Sequence, residues 1–380
     1  MNQAKTRNGA VDLMRLVFCI CIVLQHAVYA IPDDTPAILS RGSLGVEFFF
    51  LVSGYLLACS AHRYLTDGRP KPSVGFAAAQ FTKKKINSLM PVAVIAPIFS
   101  FILIQSSNRV PFGSFLQKSM IEIWRPMLLM EAGFGNTNEL WYISAMVLVM
   151  LAIYPVLIRH FDLFVRVIAP LIFAFSIGWL YVREGSLLDP SEYLGFVYKG
   201  LVRALGEICL GVAVYPAIRY LQRFELTRLA KWLITLTEIV CFVSVVCLML
   251  QSEGEYDFFA LLLFTLLVVF LFSHQGVTSD ALDHRICFFC GRFSLYLYLC
   301  NNWIAKTVGN CYEYFVEQGK FGLGTDVSAD RTLILLLYFC GVLIASAGMY
   351  LLCETLRKHR ARIFGFFKRI FVKKPAVVNS

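Results

Sequence analysis

Ten times between residues 11 and 353 the chain returns to an apolar stretch long enough to cross a bilayer as a helix, about 17 to 25 residues. The stretches fall at about 11–30, 44–61, 86–105, 139–158, 167–183, 197–218, 232–250, 257–273, 288–308 and 332–353. In hydrocarbon a backbone must satisfy its own hydrogen bonds, so segments of this kind have to be helices packed into a bundle. Only 16% of the residues are charged and the mean hydropathy is +0.66, whereas about a quarter of a soluble domain is charged. The expected fold is an all-α polytopic membrane protein with about ten transmembrane helices. No polar stretch is long enough for a separate soluble domain. Residues 1–356 therefore read as one transmembrane unit and 357–380 as a basic tail.

The net charge of +10 would suit a nucleic-acid partner, but its distribution points elsewhere. With the N-terminus in the cytoplasm and ten alternating spans, 24 of the 35 Lys and Arg residues fall on the cytoplasmic side. That bias is the positive-inside rule, and it predicts both termini in the cytoplasm of a multi-pass protein of the plasma (inner) membrane. The outer loops collect acids instead, as in "EGSLLDPSE" (184–192) and "EGEYD" (253–257). The expected partners of the basic side are membrane lipids and an anionic cytosolic substrate, not nucleic acid.

"MNQAKTR", an apolar core and "AVYA" have the outline of a signal peptide cleaved after Ala30. Arg15 and His26 interrupt that core and Asp12 sits in its positive flank, so the segment reads as a retained span. Most of the twelve cysteines lie within spans, where cysteine behaves as a small apolar residue. "CFFC" (287–290) has ligand spacing but no second pair. No metal site is expected.

Within the first span, eleven residues separate Arg15 from His26. At about 100° per residue they differ by about 20° around the helix axis and lie about 16 Å apart along it. Each has a plain explanation alone: an arginine snorkelling to the interface, a histidine bonded to a neighbouring carbonyl. Together on one face of a span, they suggest a narrow cavity with a phosphate-binding cation at its cytoplasmic end and a proton acceptor at depth.

A basic residue, ten others and then histidine in the first span resembles the signature of the acyltransferase-three family of multispan membrane acyltransferases. "GVEFFFLVSGYLL" (45–57) is similar to that family's next motif, and "LWYISAMVLVMLAIYP" (140–155), "RALGEICLG" (203–211), "CGRFSLYLYL" (290–299) and Glu354 echo later ones. The resemblance implies transfer of an acyl group, often acetyl, from cytosolic acyl-coenzyme A to an acceptor. The acceptor it implies is a hydroxyl of a surface polysaccharide or of its lipid-linked precursor. Acyl-coenzyme A would be a co-substrate, with no bound cofactor.

The chemistry is consistent. Moving an acyl group from a thioester to a hydroxyl needs a base, and histidine suits that role. His26 is the one histidine inside a predicted span; His62, His160, His274, His284 and His359 fall at cytoplasmic edges or loops. It would either deprotonate the acceptor or carry the acyl group itself. Arg15 is the first candidate for the donor's phosphates. "TKKKINSLMP" (82–91) is the second, through Lys85 and Lys84, with Lys83 or Lys84 standing in for a second basic residue. Relatives usually place two basic residues before this proline; Lys85 matches one, and Ser88 stands where the other is usual.

Further candidates for the cavity or the acceptor each have a structural alternative. Ser53 lines the thioester site or serves close Ser-Gly helix packing. Glu47 orients His26, contacts the sugar or sits in solvent. Arg203 and Glu207 share a polar stripe with Lys199 and form a structural ion pair or line the cavity. Asn301 follows the "YLYL" tract, where relatives often carry histidine, and could bind a hydroxyl. Trp141 belongs to the candidates, although an aromatic belt would explain it together with Tyr142. The loop 106–138 either covers the site from outside or only connects two spans.

A transporter or flippase of lipid-linked saccharides is the alternative from another class. Many transporters have repeated halves, and no repeat is visible here.

Overall fold

The computed structural model describes residues 7–31, 38–68, 70–122, 140–190, 192–195, 197–251, 254–277, 279–321, 323–324 and 327–371. Among these, the principal helices are α1 (Gly9–His26), α2 (Gly45–Thr66), α3 (Val74–Ser107), α4 (Phe112–Glu122), α5 (Leu140–Arg159), α6 (Ala169–Glu184), α7 (Lys199–Ala213), α8 (Arg228–Met249), α9 (Tyr256–Ser273), α10 (Arg285–Glu317) and α11 (Val327–Phe371). The described strands are β1 (Tyr193–Leu194) and β2 (Val197–Tyr198), an antiparallel pair just before α7.

Eight segments in the described residues are helical, long and apolar enough to cross a membrane, and a ninth is bent by 41° between Val74–Leu89 and Pro91–Ser107. The bend falls where Pro91 removes a helical N–H. The tenth expected span, 288–308, lies inside the 33-residue α10, which is not apolar enough to stand with the others. Its Arg292, Asn301, Asn302 and Lys306 lower its hydropathy, and both asparagines are buried. A helix with such a load belongs in the interior of a bundle. From the last span α11 runs without a break through residue 357 to Phe371.

Local sequence explains the helix starts. Asn8 accepts from the Val11 N–H at 3.0 Å to cap α1, with Asp12 in its first turn. Thr227 caps α8 on the Ala230 N–H in the same way. The outward face of α8 carries Leu229, Trp232, Leu233, Leu236, Ile239, Val240 and Val243, all exposed, as a lipid-facing helix requires.

In the interior, α1 packs most extensively on α10, which also meets α3 and α11; α2 packs on α5, α7 and α9. Small residues let these backbones approach. A Cβ on Gly54 of α2 would lie 2.1 Å from the Ile208 carbonyl oxygen of α7, and one on Gly211 would lie 2.2 Å from that of Leu51. On the other side, Gly291 of α10 makes room for the Asp12 carboxylate of α1.

A buried clamp ties the connections together. Arg41 donates from Nε to Asp257 at 2.6 Å and from Nη2 to Ser186 at 2.8 Å, and Asp257 also accepts from the Leu187 N–H at 2.8 Å. Leu187 in turn offers its carbonyl to Arg203 at 2.9 Å, so the clamp continues into the bundle.

Candidate active site

His26 closes the last turn of α1, and its Nδ1 is hydrogen-bonded to Oδ1 of the fully buried Asn301 on α10. The Asn301 amide nitrogen is already committed to the carbonyls of Tyr298 at 2.7 Å and Leu297 at 3.4 Å. Only the oxygen is left for the histidine. Nδ1 must therefore carry a proton, and in the neutral imidazole Nε2 keeps its lone pair. Protein surrounds the imidazole on nearly every side, yet the residue retains accessible surface. His26 is thus held among protein atoms with part of its surface still accessible.

Arg15 lies about three turns back on α1. It faces Asp12 at 3.6 Å, within electrostatic reach of Lys85 on α3 and of the Tyr142 phenol on α5. Asp12 is shared, since Arg7 also pairs with it at 2.6 Å. Lys85 is enclosed by protein while keeping accessible surface, and no hydrogen bond or anionic partner of it is found among the described residues. Arg15 and the enclosed Lys85 are two neighbouring cations, and the one acid beside them, Asp12, is divided between Arg15 and Arg7, so together they make a site for an anion. Lys84 is exposed, as is Lys83.

Tyr142 connects the two ends. Its phenol meets the Ser53 hydroxyl and lies 3.6 Å from the Met146 sulfur; its ring packs on Phe50 at 4.7 Å and on Tyr298 at 5.7 Å. Tyr298 supplies the carbonyl that orients Asn301. A chain of neighbours thus runs from Arg15 through Tyr142 and Tyr298 to Asn301 and His26. The shared face of Arg15 and His26 is turned toward the bundle, not toward lipid.

Trp141 and Tyr142 are both buried, so neither belongs to an interfacial belt. Trp141 lies against Gly200 and 5.8 Å from the Arg203 guanidinium. Sequence alone offered no cue for this, because a Trp-Tyr pair opening a span looks the same at the surface and in the core. Ser53 is buried on α2 and donates to the Met146 sulfur at 3.3 Å, while close helix packing is done by its neighbour Gly54.

Glu47 is fully buried rather than in solvent. Arg203 donates to it from Nη2 at 2.5 Å and to Glu207 from Nε at 3.0 Å. Three helices and the 186–188 segment therefore meet on one guanidinium. Glu47 does not orient His26; Asn301 holds that place. Lys199 pairs with Glu192 at 2.9 Å, away from Arg203. The loop 106–138 contains α4, with exposed Phe112 and Leu116, while its residues 123–138 lie outside the described residues.

A histidine hydrogen-bonded through Nδ1 to a buried asparagine, with Arg15 and Lys85 (the latter unpaired among the described residues) toward the other end of α1, inside a polytopic bundle, defines a membrane protein with an interior polar site. The chain belongs to the acyltransferase-three family, whose acyltransferase domain matches residues 8–352, and it is accordingly a membrane acyltransferase. No curated relative and no solved structure matches the chain.

The bond between Asn301 and His26 gives a first test. Asn301→Leu keeps the volume of the side chain but cannot accept from Nδ1. Transfer is expected to fall about 10- to 100-fold through kcat, with the KM for the donor unchanged. An unchanged kcat would show that the imidazole needs no such partner.

Proposed function

We propose that the protein transfers an acyl group, in the first instance acetyl, from acyl-coenzyme A to a hydroxyl of a surface polysaccharide or its lipid-linked precursor in the plasma (inner) membrane, with both termini and the Arg15 end facing the cytoplasm. The observation that carries this reading is the enclosed His26, held by Asn301 with Nε2 unprotonated. The donor's phosphates sit against Arg15 and Lys85, and its pantetheine arm runs past Tyr142 and Ser53. The rise of the helix places Arg15 and His26 about 16 Å apart, a span an extended pantetheine can cover.

In the reaction Nε2 takes the proton of the acceptor hydroxyl as its oxygen attacks the thioester carbonyl. The carbon–sulfur bond then breaks, the ester remains on the acceptor, and the coenzyme leaves as a thiol with the proton returned by the imidazolium. The acyl-coenzyme is a co-substrate, not a resident group.

Labelled acetyl-coenzyme A supplied to membranes containing the protein should place label on glycan, with none on glycan from membranes lacking it. Glycans of equal mass with and without the protein would contradict the reading. Saccharide flux in vesicles that hold no acyl donor would identify a flippase instead.

A further inference from the structure

α3 contributes one cation to the anion site, because Ser88 follows Lys85 by one turn and is uncharged. At that position the last helix intervenes. Arg357 of α11 donates from Nη2 to the Ser88 carbonyl oxygen at 3.1 Å and from Nη1 to Glu354 at 2.8 Å. It does so just before the bend at Pro91, and α3, α10 and α11 pack on one another there.

Along α10, Arg357 lies within about one turn of Arg15. α1 and α10 run in parallel, with Asp12 against Gly291, Cys19 bonded to the Ser294 carbonyl and His26 bonded to Asn301. Arg15 thus lies beside the 291–294 turn of α10. Arg357 is within electrostatic reach of Tyr296, in the next turn of that helix. Its side chain keeps about a third of its surface accessible, 36%, and two of its five donors are in use.

We infer that Arg357 is a third phosphate-binding cation of the donor site, brought by α11 to the place beside Lys85 that α3 leaves uncharged. This rests on the acyl-coenzyme reading of the Arg15–Lys85 site. The guanidinium, held through Nη2 by Ser88 and through Nη1 by Glu354, presents its remaining N–H groups to a phosphoryl oxygen. The basic helix that continues beyond the last span is then part of the donor's entrance.

The test is direct binding of coenzyme A, and of pantetheine as the same arm without nucleotide phosphates, to the purified full chain by titration calorimetry. Arg357→Gln is expected to weaken coenzyme A about tenfold and to leave pantetheine unchanged. Ser88→Lys in the Arg357→Gln background is expected to restore most of the loss. Glu354→Gln, which frees the guanidinium without removing it, is expected to tighten coenzyme A about threefold and serves if the first variant does not fold. Coenzyme A bound equally by the wild type and Arg357→Gln would overturn the inference and leave the donor reading standing. Equal loss for both probes would make Arg357 a clamp on the α3 bend, which also overturns it. A wild type that binds no coenzyme A would overturn the donor reading itself.

Discussion

His26→Ala is expected to abolish acyl transfer while the bundle stays folded and still binds the donor. A positioned base contributes about 10²- to 10⁴-fold to a proton transfer, and no other histidine stands where His26 does. His274, for example, is engaged with Asn8 at 3.1 Å at the far end of α1. The imidazole keeps accessible surface instead of filling core, so its removal opens little new void. Asn301 keeps its two carbonyl bonds, which hold the α10 turn. The check is transfer from labelled acetyl-coenzyme A at equal amounts of folded, solubilised protein. Full transfer by the alanine variant would refute the assignment.

Arg203→Met is expected to show the largest loss of stability. The guanidinium is buried to 1% exposure, with Glu47 and Glu207 both at 0%. Removing it leaves two carboxyl groups facing each other without a cation, and breaking a buried ion pair from one side costs about 3–5 kcal/mol. The loss also reaches outward. Arg203 holds the Leu187 carbonyl, and Leu187 is joined through Asp257 to Arg41, so the connections on that side lose their anchor. Adding Glu47→Gln and Glu207→Gln removes the stranded charge, and the triple variant is expected to recover much of the thermal midpoint of the solubilised protein. A single variant as stable as the wild type would show that the triad carries no load. Transfer per folded molecule should change less than stability does, since Arg203 is placed in packing and not at the reacting atoms.

Much of this architecture was legible from spacing alone, because in lipid hydrophobic length decides secondary structure. The pairing of Arg15 with His26 was legible too, since eleven residues bring an α-helix back to nearly the same face. α10 was harder. Its polar residues lower the very hydropathy that marks a span, and the reason they are there, a histidine on another helix, is a tertiary fact. Asn301 could be singled out as a polar residue in a span, but not as the partner of His26, because its role depends on which of its amide atoms its own carbonyls leave free. Glu47 met Arg203 across 156 residues of sequence, a contact no local pattern encodes. Arg41, Asp257 and Arg357 lie at loop and span edges, where charge is ordinary, and only the packing of the helices gives them partners.

A structure of the full chain with coenzyme A bound would measure the central relation itself, the distance from the thiol sulfur to Nε2 of His26 with the phosphates at the Arg15 end. The sulfur is expected beside Nε2, and the phosphates against Arg15 and Lys85. A coenzyme seated elsewhere in the bundle, or an imidazole turned away from the sulfur toward lipid, would contradict the assignment of both residues.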